Sequence, residues 1–147
     1  MLLHPQIPNN TGNIGRLCVG SLSVLHLVKP LGFEVTDTRV KRAGLDYWSD
    51  LSLVYHNSFE ALLNVIPDHS RIFYFTTKAK KSYVDIPYKK GDWLVFGREA
   101  DGLPSELINT WKNQCVQIPF PGPIRSFNLA NAVAMALGEG LRQFSKD

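Results

Sequence analysis

The chain has 147 residues, enough for one domain with a sizeable core, and its hydrophobic fraction of 44% is that of an ordinary globular protein. No apolar run approaches the roughly 20 residues that cross a bilayer, and no secretory or organelle-targeting segment is read; a cytoplasmic protein is expected, or an organellar one if such a segment has been removed. Lys and Arg number 16 against 13 Asp and Glu, a mild excess that permits a polyanionic partner without demanding one.

In chain order, Leu2-Leu3-His4 reads as the tail of a strand, short for a first strand. Pro5 to Gly12 reads as a loop on the strength of its prolines and glycine, and Ile14, Leu17 and Cys18 then recur at helical spacing. Arg16 falls near the first turns of that helix, where the plain reading is a surface arginine. Val24 to Val28 is a near-continuous apolar run, the pattern of a strand buried on both faces. A short helix is expected around Asp37 to Ala43, closed by Gly44 just past its end. A third strand spans Leu51 to Tyr55, after which Ser58 caps a helix through Leu62, Leu63 and Ile66 that Pro67 stops. Ile72–Phe75, Trp93–Phe96 and Val116–Ile118 complete the strands. Alternating strands and helices, with most strands reading as apolar runs, predict a single α/β domain over residues 1–147: a parallel sheet with helices on both faces.

The last thirty residues change character abruptly. Pro119, Pro121 and Pro123 stiffen a loop around Gly122, and a long helix rich in Ala, Val, Met and Leu follows. Ser126, Asn128 and Asn131 crowd its start, as a capped helix or as polar groups set to meet a ligand. One stripe of this helix, Ala130, Val133, Ala134, Leu137, Leu141 and Phe144, is apolar. Small residues occupy much of the remainder, so burial on most sides is expected.

Cys18 and Cys115 lie far apart without a CxxC, and the four histidines show no ligand spacing, so no metal is expected and both thiols are read as reduced and buried. Three basic clusters, Arg39-Lys41-Arg42, Lys78-Lys80-Lys81 and Lys89-Lys90, read first as solvated surface.

In open parallel sheets ligands bind beyond the carboxyl ends of the strands, the address of the loops after Phe75, Phe96 and Ile118. The loop Gly97-Arg98-Glu99-Ala100-Asp101-Gly102 matches neither a dinucleotide GxGxxG nor a triphosphate GxxxxGK[ST].

Asn10-Thr11-Gly12-Asn13-Ile14-Gly15-Arg16, then Phe96 to Leu103, then Ile118-Pro119 with Ser126-Phe127-Asn128-Leu129, occur in that order. Together they resemble the three motifs of the SpoU branch of the SPOUT methyltransferases, and the resemblance runs nearly end to end. Lys41-Arg42-Ala43-Gly44-Leu45-Asp46-Tyr47 narrows it to the small, stand-alone tRNA (cytidine/uridine) wobble-position 2′-O-methyltransferases. The resemblance implies a C-terminal trefoil knot whose threaded segment is the loop from Pro119 to Pro123 and the helix after it. S-adenosylmethionine would be held mainly by backbone, with contacts at Phe75, Thr76, Gly97, Glu99, Ile118 and Ser126. Phe75 and Ile118 read equally as strand-end core residues, and Gly97 as the position where a side chain would obstruct the nucleoside.

Arg16 corresponds to the family's catalytic arginine, with Asn10, Ser126 and Asn128 as polar companions. A guanidinium stays protonated, so Arg16 is expected to anchor ribose or phosphate and to steady charge, leaving the proton acceptor open. The partners implied are tRNA and a second copy docked through the last helix, with no membrane and no metal. Each active site would be completed by that copy, Arg16 being the residue to cross over. Two departures stand out. The first strand is shorter than the family pattern, and Gly138 occupies a place where relatives often carry tyrosine, which bears on the RNA substrate. Other readings are methylation of ribosomal RNA or of another tRNA position, and a non-catalytic RNA-binding protein that retains the fold.

Overall fold

A computed structural model describes residues 1–34, 36 and 38–145. The chain forms two compact units, residues 1–67 and 68–147, each with its own parallel strands.

In the first unit, β1 (Leu2–Leu3) pairs with β2 (Leu25–Val28), which pairs in turn with β3 (Leu53–His56). The register sets Leu2 beside Leu27 and Leu25 beside Leu53. Leu2, Leu3, Leu25, Leu27 and Val28 are buried, which is why these runs carry no polar alternation. β3 begins two residues later than its apolar run suggests, and Val54 and Tyr55 on it are exposed, so among the described residues this strand is not covered on both faces. Helix α1 spans Pro8–Gly20, and here the loop reading needs correction, because Pro8 to Gly12, including the start of the motif at Asn10, are helical. Pro8 occupies the first helical position, where its fixed φ suits the helix and its missing N–H would have had no intrahelical partner. Ile14 and Cys18 of α1 are buried, as their spacing suggested.

Helix α2 covers Thr38–Gly44 and passes directly into a 3₁₀ turn, Leu45–Asp50. Gly44 is therefore the last helical residue rather than the one after it, and Asp37, the expected start, lies outside the described residues. Helix α1 packs on both α2 and this turn. Helix α3 (Phe59–Leu63) is capped as expected: Ser58 Oγ accepts from the Ala61 N–H at 3.1 Å. It stops well before Pro67, because the chain tightens into i→i+3 bonds at Val65 and Ile66.

In the second unit, β4 (Ile72–Phe75) is central, flanked by β5 (Trp93–Phe96) and β6 (Cys115–Val116). All four β4 residues are buried. The expected alternation fails between β4 and β5, where the described chain forms only a short 3₁₀ turn, Tyr83–Asp85. Lys81 and Tyr83 run alongside Gln117 instead, exchanging backbone bonds of 2.8 and 2.9 Å that prolong the β6 edge. Arg71 grips Asp92 through two bonds of 2.7 and 2.5 Å, just before the paired residues Ile72 and Trp93. This couple fastens the amino ends of β4 and β5 and leaves their carboxyl ends to shape a site.

Helix α4 covers Ser105–Thr110, and α5 covers Leu129–Phe144. Leu129, Ala130, Val133, Ala136 and Gly140 form the buried stripe of α5. Gly140 faces the Tyr88 ring, and Gln143 fastens the helix to the same segment through the Ile86 carbonyl and the Tyr88 N–H. The sequence-read stripe is thus rotated: Leu137 is half-buried and Leu141 is exposed. Among the described residues no helix is long and apolar enough to cross a membrane, and no cluster of His, Cys, Asp or Glu has metal-site geometry. Cys18 and Cys115 are both free and buried, and burial pushes both thiols up from their ordinary pKa.

Candidate active site

The carboxyl ends of β4, β5 and β6 open onto a cavity of about 610 Å³ within the second unit. Its lining includes Phe75, Thr76, Gly97, Glu99, Ile118 and Ser126, six residues drawn from the end of β4 and three separate loops. The volume lies within the range of small-molecule sites, roughly 300–1,000 Å³. Phe75 and Phe96 stack with ring centroids 4.5 Å apart, so the strand ends present a flat apolar surface. Phe120 and Phe127 meet edge to face at 5.4 Å and bring the proline loop against the residues that precede α5.

The wall after β5 is a tight reversal. Gly102 N–H donates to the Arg98 carbonyl at 2.9 Å, and Arg98 N–H donates to the Gly102 carbonyl at 3.3 Å. Gly102 has φ of +69°, the left-handed region open to glycine. A Cβ on Gly97 would sit 2.0 Å from the Gly102 carbonyl carbon and 2.2 Å from the Leu103 nitrogen. Independently of any ligand, the loop itself excludes a side chain at Gly97. Arg98 and Asp101 hold each other across the reversal through two hydrogen bonds, which keep the Asp101 carboxyl below its ordinary pKa.

Asn128 has a definite local task. Its Oδ1 accepts from the N–H groups of Ala130 and Asn131 at 2.9 and 3.3 Å, making it the N-cap of α5. It thereby fixes the helix start from which Leu129 and Ala132 reach the cavity. Ser126, two residues earlier, is exposed and lines the cavity directly. Lys78 and Arg125 are cavity residues that the sequence did not single out as site residues. Their signals were position alone: Lys78 follows the threonine pair after β4, and Arg125 directly precedes Ser126.

Asn10 and Arg16 belong to the first unit, both on α1. Six residues apart, they are rotated by about 240° around the helix axis, so they do not share a face. Asn10 is 6% exposed, whereas Arg16 is exposed, with its guanidinium carbon 5.2 Å from the centroid of the Tyr47 ring. The described geometry therefore gathers these six residues at the strand ends and sets the two α1 residues apart from one another.

Comparison with known proteins identifies relatives of this chain. Residues 1–138 match the SpoU rRNA Methylase family. A relative from Burkholderia cenocepacia, named tRNA (cytidine(34)-2'-O)-methyltransferase, is 43% identical over 145 residues, covering 97% of this chain and 93% of its own. A solved structure described under "Structural insights into the 2-OH methylation of C/U34 on tRNA" superposes with a TM-score of 0.94 at 41% identity, covering 99% of this chain and 95% of that one. At 22% identity the likeness is one of fold alone, as with the SpoU methyltransferase AviRb from Streptomyces viridochromogenes in complex with AdoMet (TM-score 0.86, 98% of this chain and 56% of that one). With the family matched over residues 1–138 and a 43% identical relative covered nearly end to end, the chain belongs to the SpoU rRNA methylase family.

Proposed function

We propose that the protein is an S-adenosylmethionine-dependent methyltransferase that modifies a tRNA ribose at its 2′-hydroxyl, on cytidine or uridine at the wobble position. The observation that carries this reading is the meeting of Phe75, Thr76, Gly97, Glu99, Ile118 and Ser126 in one cavity. The residues suit the group. The stacked pair Phe75–Phe96 offers a flat apolar face to an adenine, the Gly97–Gly102 reversal lets backbone approach closely, and Glu99 supplies a carboxylate. When bound, S-adenosylmethionine supplies an electrophilic methyl group. The chain's own residues position the acceptor and manage its charge.

A ribose hydroxyl is a weak acid, so its attack requires alignment, loss of a proton and stabilisation of a growing negative charge. Arg16 performs the electrostatic part, since its guanidinium remains protonated and its fork suits ribose and phosphate oxygens. Ser126 is its polar companion, whereas Asn10 is buried on another face of α1 and is not set beside it. Asn128 contributes by holding the α5 start in place through its cap. A phosphate oxygen of the RNA, gripped by Arg16, takes the proton in this scheme. The two compact units act as one methyltransferase domain, with residues 119–123 and α5 as the threaded part of a trefoil knot. The exposed Leu141 and half-buried Leu137 of α5 are covered by a second copy, giving a two-fold dimer with Arg16 as the residue that crosses between active sites. The basic clusters around Arg39 and Lys78 contact tRNA phosphates, so binding weakens as salt rises.

The test is to incubate the protein with methyl-labelled cofactor and unmodified tRNA and to map the labelled nucleotide. Label on the wobble 2′-oxygen is expected. Arg16→Ala should lower kcat by about 10²- to 10³-fold while cofactor affinity stays within about twofold. Turnover near wild type in both Arg16→Ala and Arg16→Lys overturns the role given to Arg16. The family's description as rRNA methylases supports a second reading, ribosomal RNA as the target. Label found on rRNA and absent from tRNA selects it. Cofactor uptake without transfer to either RNA selects a binding protein that has kept the fold.

A further inference from the structure

The cluster Lys41 to Tyr47 has no task in the cavity, yet its end lies against the helix that bears Arg16. We propose that Tyr47 is a positioning residue for Arg16: its ring supports the guanidinium and limits the directions in which Arg16 can present its donors. The inference rests on the methyltransferase reading above, and on the role given there to Arg16.

Two contacts carry it. The Arg16 guanidinium carbon lies 5.2 Å from the centroid of the Tyr47 ring, within cation–π range. Beside it, one residue before Arg16 and one after Tyr47, a Cβ built on Gly15 would come within 2.8 Å of the Trp48 ring. The 3₁₀ turn carrying Tyr47 and Trp48 is thus seated on α1 at Gly15, where the helix lacks a side chain. Trp48 is half-buried and fixes the turn, while Tyr47 stays 45% exposed beside its arginine.

A long arginine on an exposed helix face otherwise samples many rotamers, and each must be given up when substrate is aligned. An aromatic face removes part of that freedom beforehand without neutralising the charge, as a carboxylate partner would. The phenolic hydroxyl plays no part in this, so the ring alone should suffice.

The experiment measures steady-state methyl transfer to unmodified tRNA for the wild type and for Tyr47→Phe, Tyr47→Trp, Tyr47→Leu and Arg16→Gln, with melting curves for each. Tyr47→Phe and Tyr47→Trp should stay within about twofold of wild type, and Tyr47→Leu should lose about three- to tenfold in kcat with KM for tRNA unchanged. With Arg16→Gln in place, single-turnover rates should not fall further on adding Tyr47→Leu. Equal kcat in the Phe and Leu variants overturns the proposal. So does a raised KM with unchanged kcat, which would make Tyr47 an RNA contact, or an equal loss from Tyr47→Leu with and without Arg16. If the wild type itself transfers no methyl group to tRNA, it is the methyltransferase reading that fails. If the wild type is active and Arg16→Gln is equally active, it is the role of Arg16 that fails, and the proposal with it.

Discussion

Among the described residues each unit has three parallel strands, yet the two carry their candidate chemistry differently. In residues 68–147 the strand ends and the loops after them enclose a cavity, and its key position, Gly97, is dictated by backbone packed against backbone. In residues 1–67 the candidate catalytic group, Arg16, is displayed on the exposed face of a helix and braced by an aromatic ring. A cradle for a small molecule needs close walls and tolerates little change. A charge offered to a large polyanion needs reach and a fixed base. The first arrangement is brittle to added volume, and the second is sensitive to lost support.

The largest effect should come from breaking the cradle. Gly97→Ala places a methyl group inside the van der Waals distance of the Gly102 and Leu103 backbone. We expect cofactor affinity to drop at least about 100-fold in calorimetry, with a stability loss of about 3 kcal/mol in urea unfolding. Affinity and stability both close to wild type would show that the reversal at Arg98–Gly102 is softer than its geometry implies.

Next comes the fastening at the opposite strand ends. Asp92 is only 6% exposed and takes two bonds from Arg71 and one from the Lys89 N–H. Asp92→Ala should cost about 2–3 kcal/mol, since it leaves a partly buried guanidinium without its carboxylate. Cofactor affinity of the folded variant should stay within about twofold. A parallel loss of affinity would mean that the cavity is not insulated from the amino ends of β4 and β5.

The first unit is the one whose stability should respond to mild acid. His26 Nδ1 and His56 Nε2 lie 2.8 Å apart, between residues of β2 and β3 that share a face. Burial, followed by the Met1 amino group and His56, lowers the His26 pKa to about 4, and burial also lowers that of His56. A depressed histidine pKa means that the unfolded chain takes up the proton first. Stability from this pair is therefore complete above the unfolded value near 6.5 and declines as pH falls from there toward 4. Urea unfolding should register a loss of about 1–3 kcal/mol between pH 7 and 4.5, and His26→Gln should remove most of it. An identical pH profile in that variant would assign the loss elsewhere.

The smallest effect is at the end of α1. Leu22 has φ of +55°, and Ser23 and Leu22 donate back to the Cys18 and Val19 carbonyls at 2.8 and 3.2 Å, the hydrogen-bond pattern of a Schellman cap. A leucine there is strained and, at 97% exposure, gains nothing from packing. Leu22→Gly should stabilise by about 0.5–1 kcal/mol, with methyl transfer unchanged. Loss of activity would reveal a task for that exposed leucine.

Much of this layout could be read in the chain itself. Apolar runs without alternation announce parallel strands, and Ser58 and Asn128 sit where short polar side chains cap helices. The loops after Phe75, Phe96 and Ile118 drew attention because strand ends are where such sheets bind ligands, and all three contribute to the cavity. The helical state of Asn9 to Gly12 escapes a reading by residue type, since glycine and asparagine weaken a helix locally while Pro8 and packing on α2 sustain it. The left-handed cap fell on Leu22 although Gly20 was nearby, because hydrogen-bond closure and not residue preference fixed where the helix stops.

By itself the amino-acid sequence determined the local matters: strand positions, caps, the stiff proline loop and the order of the family's motifs. Each depends on neighbours a few residues away. Only the tertiary structure decided that Gly97 is excluded by its own loop, that the β4–β5 connection lacks an α-helix, and that Tyr47 and Trp48 settle on Arg16 and Gly15. Those outcomes turn on groups brought together by packing, whose separation along the chain leaves no periodic trace.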